Sequence, residues 1–252
     1  MLFRSGGGRG DVNHLAACDV ATYPKTPRVP NAAVAWDGFA FGIDKWDRAK
    51  VEAALKARGL SPVFEGGPNG YESFLVKDPG GLNVWITNGN KKNRRTTAPN
   101  GKLNVPLPFE PTGYKTVYLD HISFQARDYK LSVAFYEALL GWKGLGDEGS
   151  QNETEIAPDI GGLLIRGGNS LAPGFTPPTP GSNPTPMDHI SFGITPFDPD
   201  EANAALCKRG LSIQADTGAT GDIHVTEYKS YHTTTPNGFN LQFSNKITPT
   251  KP

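Results

Sequence analysis
A chain of 252 residues with a formal net charge of +0 has room for one large domain or two small ones, and nothing in its charge argues for a nucleic-acid surface. Its 37% hydrophobic content is low but compatible with a folded core, while 30 glycines and 22 prolines point to many turns and long loops. No run approaches the ~20 apolar residues of a membrane span, MLFRSGGG lacks the apolar stretch of a secretory signal, and two cysteines, Cys18 and Cys207, are too few for a disulfide framework.

In chain order, Met1 to Arg4 reads as a short apolar strand, and residues 9–35, with Pro24, Pro27 and Pro30, as a long loop. Trp36 to Ile43 reads as a strand. Asp47 to Arg58 reads as a helix with Val51, Ala54 and Leu55 on one face and Gly59 as its stop. Tyr71 to Val76 and Leu82 to Thr87 are strands around the turn Asp78-Pro79-Gly80-Gly81. The basic run Asn90 to Arg95 reads as a solvated linker. It leads into a Pro-rich connection, residues 98–113, that divides the chain into domains at 1–97 and 114–248.

The second half repeats the plan. Val117 to Gln125 reads as a strand, and Asp128 caps a helix over 129–140 whose buried face includes Leu131, Phe135 and Leu139. Gly162 to Arg166 is a strand, and a Pro-rich loop over 172–186 follows. Asp198-Pro199-Asp200-Glu201 then combines a cap, a first-turn proline and a capping-box glutamate to start a helix over 199–209. Cys207, inside that helix, reads as a small buried hydrophobe. Tyr228 to Thr233 and Phe239 to Ser244 are strands around Pro236-Asn237-Gly238.

The organising stretches are DHISFQA at 120–126 and DHISFGI at 188–194, with DGFAFGI at 37–43 as a degraded relative. On a strand, His121 and Ser123 share one face while Ile122 and Phe124 take the other; His189, Ser191, Ile190 and Phe192 repeat that parity. A lone strand histidine is usually a hydrogen-bonded core residue, but two at the same place of a repeated unit argue for a shared task. EAALKARGLS at 52–61 lies over NAALCKRGLS at 203–212, and YESFLVKDPGGLNVWI at 71–86 over YKSYHTTTPNGFNLQF at 228–243. Residues 1–88 thus match only the later part of the C-terminal half. The expectation is an N-terminal half that lacks most of its first module, with an unpaired sheet edge and an exposed apolar face.

Strand, helix and three strands in repeated units, FYEALLGW closing a helix, and P-x-G-F-x-L-Q in the last hairpin resemble the vicinal oxygen chelate superfamily. That group includes glyoxalase I, extradiol ring-cleavage dioxygenases and bleomycin-resistance proteins. The resemblance implies an α+β fold of paired βαβββ modules in two domains, the C-terminal one holding a divalent metal inside an open barrel-like sheet. It places metal ligands at His121, His189 and Gln242. The extradiol pattern has an acid at this last position, whereas glyoxalase-type members can use glutamine. It implies Fe(II) foremost, with Mn(II), Zn(II) or Ni(II) as alternatives. His232 falls where ring-cleaving relatives carry a polar active-site residue and is the expected proton-transfer group. His224 could approach the cavity mouth or lie on the surface, and His14 reads as a surface residue. Gly38 and Trp85 occupy the corresponding places of the N-terminal half, which is therefore expected to be metal-free. Restoring the acid, Gln242→Glu, is expected to tighten metal binding. The implied activity is that of a mononuclear metalloenzyme of the extradiol dioxygenase or glyoxalase type, acting on a small molecule that chelates through adjacent oxygens. The alternative is a metal-free binding protein of the bleomycin-resistance type. Neither nucleic acid nor membrane is expected as a partner, and self-association and compartment stay open.

Overall fold
The computed structural model describes residues 38–67, 70–89, 106–107, 109–147, 153–156, 161–171, 173–174, 187–217, 220–235 and 239–248. The strand expected at Met1 to Arg4, the loop at 9–35, His14, Cys18, the basic run at 90–95 and most of the two Pro-rich connections lie outside these residues.

The described chain forms three units of one plan. The first is β1 (Gly38–Gly42), α1 (Arg48–Ala57), β2 (Val63–Gly66), β3 (Glu72–Lys77) and β4 (Asn83–Thr87). The second is β5 (Lys115–Ala126), α2 (Tyr129–Leu140), β6 (Gly144–Asp147), β7 (Glu153–Ile156) and β8 (Gly162–Gly167). The third is β9 (Met187–Thr195), α3 (Pro199–Cys207), β10 (Gln214–Asp216), β11 (Ser230–Thr234) and β12 (Asn240–Ser244). In each, the first strand lies parallel to the fourth, and the third and second follow antiparallel. The first unit forms its own four-stranded sheet. The second and third join through antiparallel β5 and β9 into one eight-stranded sheet.

Each helix starts where its sequence signals place it. Asp47, Asp128 and Asp198 accept backbone N–H groups of the first turn, and Gly141 ends α2 in the left-handed conformation. The strands β2, β6, β7 and β10 were not legible. They are three or four residues long, and β2, β6 and β10 pair on one side only, so no long alternation marks them. Leu131 is not on the buried face of α2: it is 55% exposed, and Tyr129, Ser132 and Tyr136 point inward instead. Cys207 is half-buried at the end of α3 rather than enclosed.

One hydrophobic cluster joins elements on both sides of residues 98–113. Phe39, Phe74, Val76, Val84 and Ile86 of the small sheet pack with Phe124, Tyr136, Ile156, Leu163 and Ile165 of the large one. The FYEALLGW stretch supplies the contact. Tyr136 stacks on Trp142 and lies against Phe39, and Phe41 meets Trp142 edge-on at 4.6 Å between centroids. The far face of the small sheet carries Leu75 and Trp85. On that face Trp85 is 7% exposed with its indole N–H on Glu65, while Val63, paired with Leu75 at the sheet edge, is 57% exposed.

Asp78, in the β3–β4 turn, ties the two sheets together. Its carboxylate accepts Leu82 N–H at 2.8 Å and the Tyr136 hydroxyl at 3.0 Å, and it is 5% exposed. Burial holds this carboxyl above its ordinary range, and the hydrogen bonds from Leu82 and Tyr136 oppose that rise. A raised carboxyl costs stability above its folded pKa and costs nothing below its unfolded one. Tyr136→Phe removes a donor from the ionised form and is expected to cost about 1–3 kcal/mol at neutral pH. The deficit should narrow as pH falls and Asp78 protonates, which urea titrations of both proteins across that range would measure.

Candidate metal centre
The two DHIS stretches lie against each other. On antiparallel β5 and β9, His121 is paired with Ser191, Ile122 with Ile190, and Ser123 with His189, so the repeat is centred on the isoleucine pair. Immediately beyond this core, each strand carries an extra residue. Asp120 has no partner between the Leu119–Phe192 and His121–Ser191 pairs, and Asp188 none between Ser123–His189 and Phe124–Met187. A bulge breaks strict alternation, so each aspartate reaches the same face as the histidine that follows it. The Ser191 hydroxyl donates to Asp120 at 3.0 Å, and the Ser123 hydroxyl donates to Asp188 at 3.2 Å. Each aspartate therefore serves the serine of the other copy.

Asp120 also accepts from Tyr228 and Ser244, both at 2.7 Å, and pairs with Lys246 at 3.2 Å. Burial pushes its carboxyl up, but hydrogen bonds from His121, Ser244 and Tyr228 and the charge of His121 outweigh this and hold it far below the usual range. Asp188 is also lowered, first by its hydrogen bond with His189 and also by the charge of Arg166, 3.5 Å away.

The histidines converge. His121 Nε2 and His189 Nε2 are 2.8 Å apart, with 9% and 3% of their residues exposed. Their other nitrogens face carboxylates: His189 Nδ1 is 3.1 Å from Asp188, and His121 Nδ1 is 3.5 Å from Asp120. With a proton on each Nδ1 the two Nε2 lone pairs face one another, an arrangement a shared metal ion would satisfy, whereas a proton on His121 Nε2 makes the same contact a hydrogen bond to His189. Two nitrogens bound side by side to one metal at about 2.1 Å stand about 3 Å apart, close to the spacing here. A shared proton is disfavoured at His189: burial lowers its pKa and the neighbouring His121 and His232 lower it further, against the pull of Asp188.

Gln242 and His232 lie in the same row. His121, Ser191, Gln242 and His232 are successive register partners across β5, β9, β12 and β11. Gln242 is 1% exposed. Its amide nitrogen donates to Ser230 Oγ at 2.7 Å and Asp216 at 3.2 Å, while its Oε1 is buried with no hydrogen-bond partner. That orphaned acceptor, on the strand next to His189, suits a divalent cation. Among the described residues, however, no three His, Cys, Asp or Glu side chains come together as a metal-holding group. The His232 ring stands perpendicular to that of His189, 4.9 Å between centroids. Its Nδ1 donates to Asn240 Oδ1 at 3.0 Å, so Nε2, 3.6 Å from Asp216, is free to accept a proton. His224 does not approach this face. It is an exposed residue bridging Asp200 and Asp222, each at 3.0 Å.

The first unit shows the same frame without the donors. Ala40 pairs with Trp85 and Trp85 with Leu75, as Ser191 pairs with Gln242 and Gln242 with His232. Gly38 then stands at the place of His189. Glu65 takes the position of Asp216, and Trp85 donates to it at 2.9 Å as Gln242 donates to Asp216. The acid behind the last strand is thus present in both units, the histidines in only one. Asp120, Asp188, Ser123, Ser191 and Asp216 were missed as site residues. For the first four, the signal was the repeat itself, since D-H-I-S recurs whole.

No protein-family model matches the sequence, and no curated protein does. Solved structures do. The chain is similar to the Mn(II)-bound glyoxalase from Novosphingobium aromaticivorans, at 17% identity and a TM-score of 0.55, over 85% of this chain and 64% of that one. It is also similar to the 2,3-dioxygenase LapB from Pseudomonas sp. KL28, at 16% identity and a TM-score of 0.55, over 86% of this chain and 73% of that one. A third likeness is to homoprotocatechuate 2,3-dioxygenase from Arthrobacter globiformis, at 16% identity and a TM-score of 0.50, over 82% of this chain and 60% of that one. The chain therefore has the α+β fold of βαβββ modules that these glyoxalase and 2,3-dioxygenase structures share.

Proposed function
We propose that this chain is a mononuclear divalent-metal enzyme acting on a small molecule that chelates through two adjacent oxygens, as an extradiol dioxygenase or a glyoxalase-type enzyme would. The observation that carries the reading is the pair of Nε2 atoms 2.8 Å apart, each ring with a carboxylate facing its Nδ1, on a sheet whose next strand carries the buried, unpartnered oxygen of Gln242. His121, His189 and Gln242 would hold the ion. Bound there, a divalent metal supplies Lewis-acid stabilisation of an enolate or catecholate. Fe(II) suits a dioxygenase, while Mn(II), Zn(II) and Ni(II) suit an isomerase-type reaction. The protein's own part is to take and return a proton at His232 Nε2, whose orientation Asn240 fixes.

The test is turnover after anaerobic loading with Fe(II) or Mn(II). Oxygen uptake with a panel of catechols would identify a dioxygenase; isomerisation of an α-hydroxycarbonyl adduct with no oxygen consumed would identify the glyoxalase type. His232→Gln is expected to lower kcat by about 10²–10⁴-fold while leaving metal content intact. Loss of metal in that variant would make His232 a ligand instead. One observation favours a second reading, a metal-free ligand-binding protein: the donor set contains no carboxylate. A purified chain that takes up no divalent ion yet binds an aromatic diol would establish it.

A further inference from the structure
We infer that Asp120 and Asp188 act as positioning residues, a crossed clasp in which each aspartate faces Nδ1 of its own histidine, at 3.1 Å for His189 and 3.5 Å for His121, and accepts the serine hydroxyl of the other DHIS copy. The inference rests on the metal-site reading above and deepens it. Three observations carry it. The contacts occur twice, related by the local symmetry of β5 and β9, with Ser191 on Asp120 and Ser123 on Asp188. Both aspartates are the extra residues of bulges, so the backbone departs from regular pairing at the two places that bring a carboxylate beside a histidine. Each carboxylate also has a cation beside it, Lys246 at 3.2 Å from Asp120 and Arg166 at 3.5 Å from Asp188. A carboxylate in such a frame stays ionised and can only accept. At 3.1 Å, Asp188 therefore fixes the hydrogen on His189 Nδ1 and turns its Nε2 lone pair towards the His121 ring.

The crossing couples the two rings. Ser123 pairs in register with His189, yet it stands two residues from His121 on the same strand. A shift of β5 against β9 would loosen both aspartate–serine contacts together. The two ligands should thus behave as one preorganised unit. Ser123→Ala, which touches neither ring, should weaken metal binding through Asp188.

Asp188→Asn is the discriminating variant, because Asp188 is half-buried and the change keeps its shape, whereas Asp120 is buried among four partners and its replacement could unfold the chain. An amide can offer N–H groups to Nδ1 and permit the other tautomer. Mn(II) titration by calorimetry should show affinity about 10–100-fold weaker than wild type. Asp188→Glu, which keeps the carboxylate, should recover part of the loss, and the thermal unfolding midpoint of the metal-free protein should change little. Nitrogen-15 spectra of the metal-free chain should place the His189 proton on Nδ1 in the wild type and shift it towards Nε2 in Asp188→Asn. Unchanged Mn(II) affinity in Asp188→Asn, or a His189 tautomer indifferent to the substitution, overturns the clasp. A wild-type chain that binds no Mn(II) instead fails the metal-site reading, and the tautomer measurement alone then decides the clasp.

Discussion

Replacing either His121 or His189 with alanine is expected to take the metal content of the anaerobically purified chain from one divalent ion to none. The two residues cannot substitute for each other, since their Nε2 atoms approach one point from different strands. With one ring gone, the remaining donors are a single imidazole and the oxygen of Gln242. Both are neutral, and that set is too weak to displace the water of a divalent ion. The variants should stay folded. Phe124 and Ile122, on the opposite face of β5, pack in or against the hydrophobic cluster and are untouched. Wild-type affinity should fall as pH is lowered, because protons compete for the same nitrogens. Elemental analysis alongside circular dichroism separates loss of metal from loss of fold. Full occupancy in His121→Ala would remove it from the ligand set.

Gln242→Glu has a different expected outcome from the one its sequence position suggests. Restoring a carboxylate should tighten metal binding if the side chain stood alone. It does not: the Gln242 amide nitrogen donates to Asp216 at 3.2 Å and to Ser230 at 2.7 Å. A glutamate there would set two carboxylates against each other, and such a pair retains a proton between them. The single variant is expected to gain little affinity at neutral pH and to gain more as pH rises, because that proton must leave. Gln242→Glu combined with Asp216→Asn removes the conflict, since asparagine can donate where aspartate only accepts. The double variant is expected to bind Mn(II) about tenfold or more tighter than either single variant, at the scale typical of partners behind a metal ligand. Calorimetric titrations at two pH values on either side of neutrality would measure both effects. A single Gln242→Glu variant as tight as the double would show that Asp216 does not oppose the new charge. Asp216 is partly exposed, so screening by solvent and salt should soften the effect without reversing it.

The sequence alone determined the modules, the three helices and the histidine pair. Helix ends are local: Asp47, Asp128 and Asp198 cap N–H groups two or three residues away, and those signals survive without knowledge of the rest of the chain. The repeat was equally legible, because equal places in equal modules must fall at equal register; Trp85 and Leu75 stand over Gln242 and His232 for that reason. Tertiary structure alone decided what depends on pairing. Leu131 matches the helical period yet points to solvent, since the small sheet meets α2 along Tyr136. The strands β2, β6 and β10 exist through their neighbours rather than through their own three or four residues. Asp120 and Asp188 read as ordinary residues before a strand histidine, and strict alternation would turn them away from it. Only the bulges formed when β5 meets β9 bring them back to the histidine face, and only that meeting, of stretches 68 residues apart, sets two imidazole nitrogens in contact.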